Sequence, residues 1–284
     1  MQRCQPVPGL LITYSVPLLA AIRDVSNVPL GELVALSGRV AVVTGGARGI
    51  GLACCQRLAE VGATVLIADL DDRLATAAAI EVGHCAEAAW IDVTDAASVR
   101  SVVKRAVAEH GRLDVWVNSA GVFPVTTLLE LSTEDWDRVL DVNLRGTMLG
   151  AREAARAMIA GGREGVIVNV ASTAAYRAEG PGVAHYVASK FGVRGLTQSL
   201  AVELGRHGIR VLAVAPTVTL TPGLEAGRSA FEAAGFALAE LGSRLPLGRV
   251  AVPDDIARVV VFCASDLSLL MTGSTIPVDA GELA

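Results

Sequence analysis

From Gly38 onward the chain alternates between short apolar runs and longer stretches whose apolar positions recur every three or four residues. The runs are residues 40–44, 63–68, 86–92, 113–118, 166–171, 209–215 and 274–278. At this length, and bounded by turn-forming residues, they read as strands buried on both faces. Residues 50–61, 98–109, 134–159, 187–205 and 254–264 carry the helical period. Repeated βαβ units with few hairpin signals predict an α/β fold, a parallel sheet covered by helices on both sides. Right-handed crossovers make that sheet doubly wound. Several helix ends are marked. Ser132 and Asp135 form a capping box, Pro253 with Asp254 and Asp255 opens another helix, and His207-Gly208 reads as a stop.

Two stretches break the rhythm. Residues 10–22 are apolar with Arg3 upstream, in the manner of a signal peptide, but Pro17 interrupts them and they are too short to span a bilayer. We expect residues 1–37 to form a loosely ordered N-terminal arm ahead of a single domain over residues 38–284. Residues 217–250 show no clear strand–helix order and are long enough for a mobile lid over a site.

Composition narrows the function more than the fold. The 284 residues are 52% hydrophobic but only 4% aromatic, so the core is built from Ala, Val, Leu and Ile. A net charge of −5, with no run of basic residues, offers no footprint for nucleic acid or an anionic membrane. Cys4, Cys54, Cys55, Cys85 and Cys263 lack metal-ligand spacing, so no metal is expected and the thiols read as small apolar residues of a cytoplasmic protein.

The candidate chemistry lies in two places. Thr44-Gly45-Gly46-Ala47-Arg48-Gly49-Ile50-Gly51 joins an expected strand to an expected helix. Gly45 permits the tight turn, Gly49 lets the backbone approach a pyrophosphate, and Gly51 lets helix and strand pack closely, with phosphates on the helix N-terminus. Asp69 ends the next strand, where a carboxylate accepts from ribose hydroxyls and repels a 2′-phosphate. NAD is therefore favoured over NADP, although the Arg48 guanidinium pulls the other way. Further along, Tyr186 and Lys190 sit one helical turn apart in Y-V-A-S-K. A phenol with a cation beside it can act as acid and base, provided its ordinary pKa of about 10 is lowered.

These pieces together resemble the short-chain dehydrogenase/reductase family, in its compact single-domain branch with a Rossmann-type sheet. The resemblance runs over residues 38–281 and rests on T-G-G-A-R-G-I-G (44–51), D-V (92–93), N-S-A-G (118–121), the asparagine of D-V-N-L (143), N-V-A-S (169–172), Y-V-A-S-K (186–190) and A-P-T (215–217). It implies Tyr186 as the acid/base and Lys190 as its cationic partner and holder of the nicotinamide ribose. It implies Asn143 behind Lys190 as support for a water-mediated proton relay. A serine orients the substrate, and the strand-end context points to Ser172, while the usual count of residues before the tyrosine lands on Thr173. Cofactor contacts are expected from Gly45, Arg48, Gly49, Ile50, Gly51, Asp69, Leu70, Asp92, Val93, Asn118, Ala120, Gly121, Pro216, Thr217, Thr219 and Thr221, with Asn118 also tethering central strands. Substrate-facing positions are Phe123, Thr173, Tyr176 and His185, and assembly as a dimer or tetramer is implied.

The chain departs from the usual pattern at Ser119, at Thr217 and at Ala280, where a second asparagine, a glycine and another glycine are common. None of these removes a catalytic group. No arginine pair is preset for a carboxylate or phosphate, so the expected substrate is an uncharged secondary alcohol or ketone, aliphatic, cyclic or polyol. Two other readings stand beside it. One is an NADPH-dependent 3-oxoacyl thioester reductase, and the other is a non-catalytic dinucleotide sensor.

Overall fold

Seven strands form one sheet: β1 (Val40–Thr44), β2 (Thr64–Asp69), β3 (Ala86–Trp90), β4 (Val115–Asn118), β5 (Gly165–Val170), β6 (Ile209–Pro216) and β7 (Thr275–Val278). Their order is β3-β2-β1-β4-β5-β6-β7 and every pairing is parallel. The computed structural model describes residues 22–178, 180–226, 228–233 and 242–284. Strand order reverses between β1 and β4, and at such a switch point the crevice outside the strand carboxyl ends is the natural ligand site.

Helices cover both faces. On one side lie α2 (Gly49–Glu60), α3 (Asp72–Val82) and α10 (Pro253–Ala264), and on the other α4 (Ala96–His110), α6 (Gly146–Ala160) and α7 (Ala184–Leu204). The strand period of two divides β1 between them. Ala41 and Val43 join the first layer, Val40 and Val42 the second. All four are buried, and each valine removed from water contributes roughly 1.5–3 kcal/mol. A polar side chain at any of them would be stranded on one face or the other. Helix α3 falls in a gap of the hydrophobic pattern, and its start is fixed by Asp71, whose carboxylate accepts from the backbone of Arg73 and Leu74.

Of the segment expected to form an arm, residues 1–21 lie outside the described residues. The remainder is tied down, with α1 at Leu30–Val34. Leu36 is fully buried and its N–H donates to Val61 at 2.7 Å, while Arg23 reaches Asp266 and Glu164. The long helix expected over 134–159 is divided. It runs as α5 (Thr133–Leu140), a π turn at Asp141–Arg145, then α6. The Ser132 cap is in place, its hydroxyl accepting from Asp135 N–H at 3.0 Å. Within the expected lid, α8 (Pro222–Ala226) and α9 (Arg228–Ala233) are short, and residues 234–241 lie outside the described residues.

Candidate active site

A cleft opens along the carboxyl ends of the strands in two communicating lobes. The larger, about 340 Å³, is lined by Gly45, Arg48, Gly49, Ile50, Gly51, Asp69, Leu70, Asp92, Val93, Ala120 and Gly121, among others. The smaller, about 180 Å³, holds Ser172, Tyr186, Lys190, Phe123, Pro216, Thr217, Thr219 and Thr221. Both share Ile50, Gly121, Phe123, Val170 and Thr221. Of the residues expected to touch a cofactor, all except Asn118 lie on this surface.

The glycine turn is shaped by steric need. Gly45 has φ 63°, and a Cβ there would come within 2.8 Å of Ala120 Cα, where β1 and β4 draw together. At Gly51 a Cβ would overlap the Gly45 carbonyl oxygen, so the helix could not start this close to the strand. Asp69 closes the same end. One carboxylate oxygen accepts from Ala47 N–H and the other from Asp71 N–H, each at 3.1 Å, which fixes the side chain at the lip of the larger lobe. Asp92 is held similarly, accepting from the backbone and hydroxyl of Thr94.

Asn118 has a structural task. It accepts from Trp116 Nε1 at 2.7 Å and donates to Asn169 Oδ1 at 2.9 Å, and Asn169 in turn donates to Thr197 Oγ1. Residues 44, 118 and 169 stand side by side in the strand register. This buried chain of amides ties β4 to β5 and to α7, so Asn118 does not reach the cleft.

The reacting end is built on α7 and the end of β5. The ammonium of Lys190 lies 5.6 Å from the centre of the Tyr186 ring, as expected for side chains one turn apart. It donates to the Val170 carbonyl oxygen at 2.8 Å, and burial pushes its pKa down to about 8. Ser172 lies on the cleft, its hydroxyl accepting from Ala174 N–H at 3.1 Å. Thr173 does not line it. Its hydroxyl donates to the Pro216 carbonyl from a buried position, so the two candidate hydroxyls are separated by which way the strand end turns.

Asn143 stands behind this surface, inside the π turn. Its amide donates to the Val122 carbonyl oxygen at 2.8 Å and to Ser189 Oγ at 3.2 Å, and its carbonyl accepts from Val122 N–H at 2.8 Å. One side chain thus clamps the loop after β4 and meets α7. A Cβ on Gly121 would sit 3.3 Å from Asn143 Oδ1 and 4.0 Å from Lys190 Nζ, so these two flank the same glycine. Ser189 was missed by sequence reasoning although it precedes Lys190 in the same run. Its position one residue earlier turns it away from the cleft and toward Asn143.

Two expected substrate contacts are corrected along with Thr173. Tyr176 donates its hydroxyl to Thr275 at 2.9 Å and lies under the Arg194 guanidinium, 4.1 Å from the ring centre. His185 is fully buried, away from the cleft lining, and burial holds its pKa below the ordinary value. Phe123 does line the cleft. Val122, Val183, Val218 and Leu224 line it too, and nothing in their apolar character singled them out from core residues.

A cofactor fits what is present. Thr217 Oγ1 is buried in the lining of the smaller lobe and has no hydrogen-bond partner among the described residues, a polar atom able to meet a bound group. The bare backbone at Gly45 and Gly51 supplies room where any side chain would collide.

The comparisons with known proteins agree. The family model described as enoyl-(acyl carrier protein) reductase matches residues 45–282. The chain belongs to the short-chain dehydrogenase/reductase family. D-threitol dehydrogenase of Mycolicibacterium smegmatis is 43% identical over 87% of this chain and 93% of its own. Cis-4-hydroxycyclohexanecarboxylate dehydrogenase of Sinomonas cyclohexanicum is 42% identical over 90% of this chain and all of its own. A solved 3-ketoacyl-(acyl-carrier-protein) reductase from Brucella melitensis, complexed with NADH, superposes with a TM-score of 0.81 at 33% identity, over 88% of this chain and 100% of that one. Dehydrogenases of this family bind a nicotinamide dinucleotide.

Two other features lie apart from the cleft. A cavity of about 290 Å³ opens at the amino ends of the strands, where Arg39 pairs with Asp266 and Arg112 with Asp114. Glu87, Glu109 and His110 draw together beside β3, but Arg105 already binds both carboxylates. No helix among the described residues is long and apolar enough to cross a membrane.

Proposed function

We propose that this chain is an NAD-dependent dehydrogenase that interconverts an uncharged secondary alcohol and its ketone. The observation that carries the reading is the convergence of Ser172, Tyr186 and Lys190 on one small lobe that opens directly into the glycine-lined lobe. The nicotinamide, when bound, supplies the hydride acceptor or donor. The protein's own part is proton transfer and orientation. Ser172 hydrogen-bonds the substrate oxygen and aims it at Tyr186. The Tyr186 phenolate takes the hydroxyl proton as the alcohol is oxidised and returns it on reduction. The Lys190 ammonium lowers the cost of that phenolate, and Asn143 acts as a positioning residue that holds the loop beside both and supports the proton relay. The larger lobe receives the adenosine half, with Asp69 favouring a free ribose hydroxyl over a 2′-phosphate and so NAD over NADP.

The dehydrogenase relatives support this reading, and so does a smaller lobe whose described lining has no basic residue other than Lys190. A thioester of an acidic carrier protein would be better served by a basic mouth, and a retired sensor would have no use for a buried lysine beside Tyr186. We place the enzyme in the cytoplasm, where Cys54, Cys55, Cys85 and Cys263 stand as free thiols. We also propose a homo-oligomer, because α7 leaves Phe191 and Val202 exposed, and light scattering reads its size.

The deciding experiment is nicotinamide absorbance during incubation with NAD or NADP and a panel of secondary alcohols. NADH formation is expected, falling by about 10²–10⁴-fold in Tyr186→Phe with the folded spectrum unchanged. Undiminished turnover in that variant would remove Tyr186 from the reaction.

A further inference from the structure

The smaller lobe carries information about the substrate that the relatives do not. Two of nearly equal identity act on a polyol and on an alicyclic alcohol, by their names. The wall around Tyr186 is apolar: Val122, Phe123, Val183, Val218 and Leu224. Among the described residues no Asp, Glu, Asn, Gln, Arg or His lines this lobe.

Among the described residues only Thr217 Oγ1 of this lobe is a buried side-chain polar atom without a partner, and several of the other polar groups already hold one bond. Thr219 Oγ1 donates to the Thr217 carbonyl, Thr221 Oγ1 accepts from Leu224 N–H, and Lys190 donates to Val170. Phe123 is the most exposed part of the wall and the best placed. Its ring meets the Tyr186 ring edge-on, centroids 6.5 Å apart at 71°. On its far side lies α8, where a Cβ on Gly223 would touch Phe123 Cζ at 3.4 Å. Phe123 therefore stands between the reacting phenol and the first lid helix.

We propose, building on the dehydrogenase reading above, that the substrate is a neutral alicyclic secondary alcohol whose ring packs against Phe123, and not a polyol. A polyol brings a hydroxyl on every carbon. Each one buried against this wall without a partner costs roughly tenfold or more in kcat/KM. A ring instead gains about fourfold for every methylene taken out of water.

The test compares initial rates with NAD for cyclohexanol and the methylcyclohexanols against threitol, sorbitol and galactitol, in the parent enzyme and at Phe123. The expected result is a kcat/KM for the alicyclic alcohols about 100-fold above any polyol. Phe123→Ala is expected to lower the alicyclic values about tenfold, chiefly through KM, while Phe123→Leu restores most of the loss. Polyol rates equal to or above the alicyclic ones would overturn this assignment and leave the dehydrogenase reading standing. Failure of both sets, with NAD binding intact by calorimetry, would remove the dehydrogenase reading and this assignment with it.

Discussion

Lys190 keeps an ammonium buried with one backbone carbonyl as its acceptor, and stability must register that. An unfolded lysine titrates near about 10.4, whereas Lys190 in the fold titrates at about 8. Between those values the unfolded chain holds the extra proton, so the contribution of this residue to stability rises with pH across the window. Below it the buried charge costs about 3 kcal/mol. We therefore expect denaturation curves at about pH 7 and about pH 10 to show the parent gaining up to about 3 kcal/mol relative to Lys190→Met. A difference that stays flat with pH would mean that the ammonium is hydrated after all. At this scale the sequence was legible where spacing fixes geometry, as for Tyr186 and Lys190 one turn apart, or where only glycine fits, as at Gly45 and Gly51. It was silent on orientation. Ser172 and Thr173 are adjacent hydroxyls, and the direction in which the chain leaves β5 decides which one meets the cleft.

At the scale of elements, strands were legible because burial on both faces leaves short unbroken apolar runs. The π turn was not. A widened turn changes the period over only five residues, too few to disturb the apolar pattern of 134–159, and its sole trace was Asn143 in an unfavourable place. That asparagine is what the distortion serves, since its side chain clamps both backbone groups of Val122. The turn after β7 tells the opposite story. Ala280, noted as unusual in the sequence, is the one non-glycine among the described residues at positive φ, 53°, and its carbonyl accepts from Leu247. Left-handed alanine costs about 1–2 kcal/mol, partly offset by the greater freedom glycine has when unfolded. Ala280→Gly should thus raise the urea midpoint, by a stability gain of about 0.5 kcal/mol. A lower midpoint would show that the alanine methyl makes contacts worth more than its strain.

Across the whole molecule, the order of the sheet followed from alternation and short connections, and with it the location of the site. The residues of the cleft wall did not, because Val122 or Leu224 reads no differently from a core residue until the fold is known. Nor did the docking of residues 22–37, which depends on Asp266 meeting Arg23 and Arg39 across more than two hundred residues of chain. The cleft itself runs from Asp69 at the end of β2 to Ser172 and Tyr186 beyond β5, so whatever fills it touches both halves of the sheet. A ligand that binds only the folded form adds about 2.7 kcal/mol when present at a hundred times its Kd. NAD should raise the melting temperature more than NADP at equal concentration, and Asp69→Ser should narrow that gap. Greater protection by NADP in the parent would reverse the cofactor assignment. Because a nucleotide filling this cleft would bridge the two halves, the melting curve becomes a binding assay in its own right, able to rank dinucleotides before a single substrate has been found.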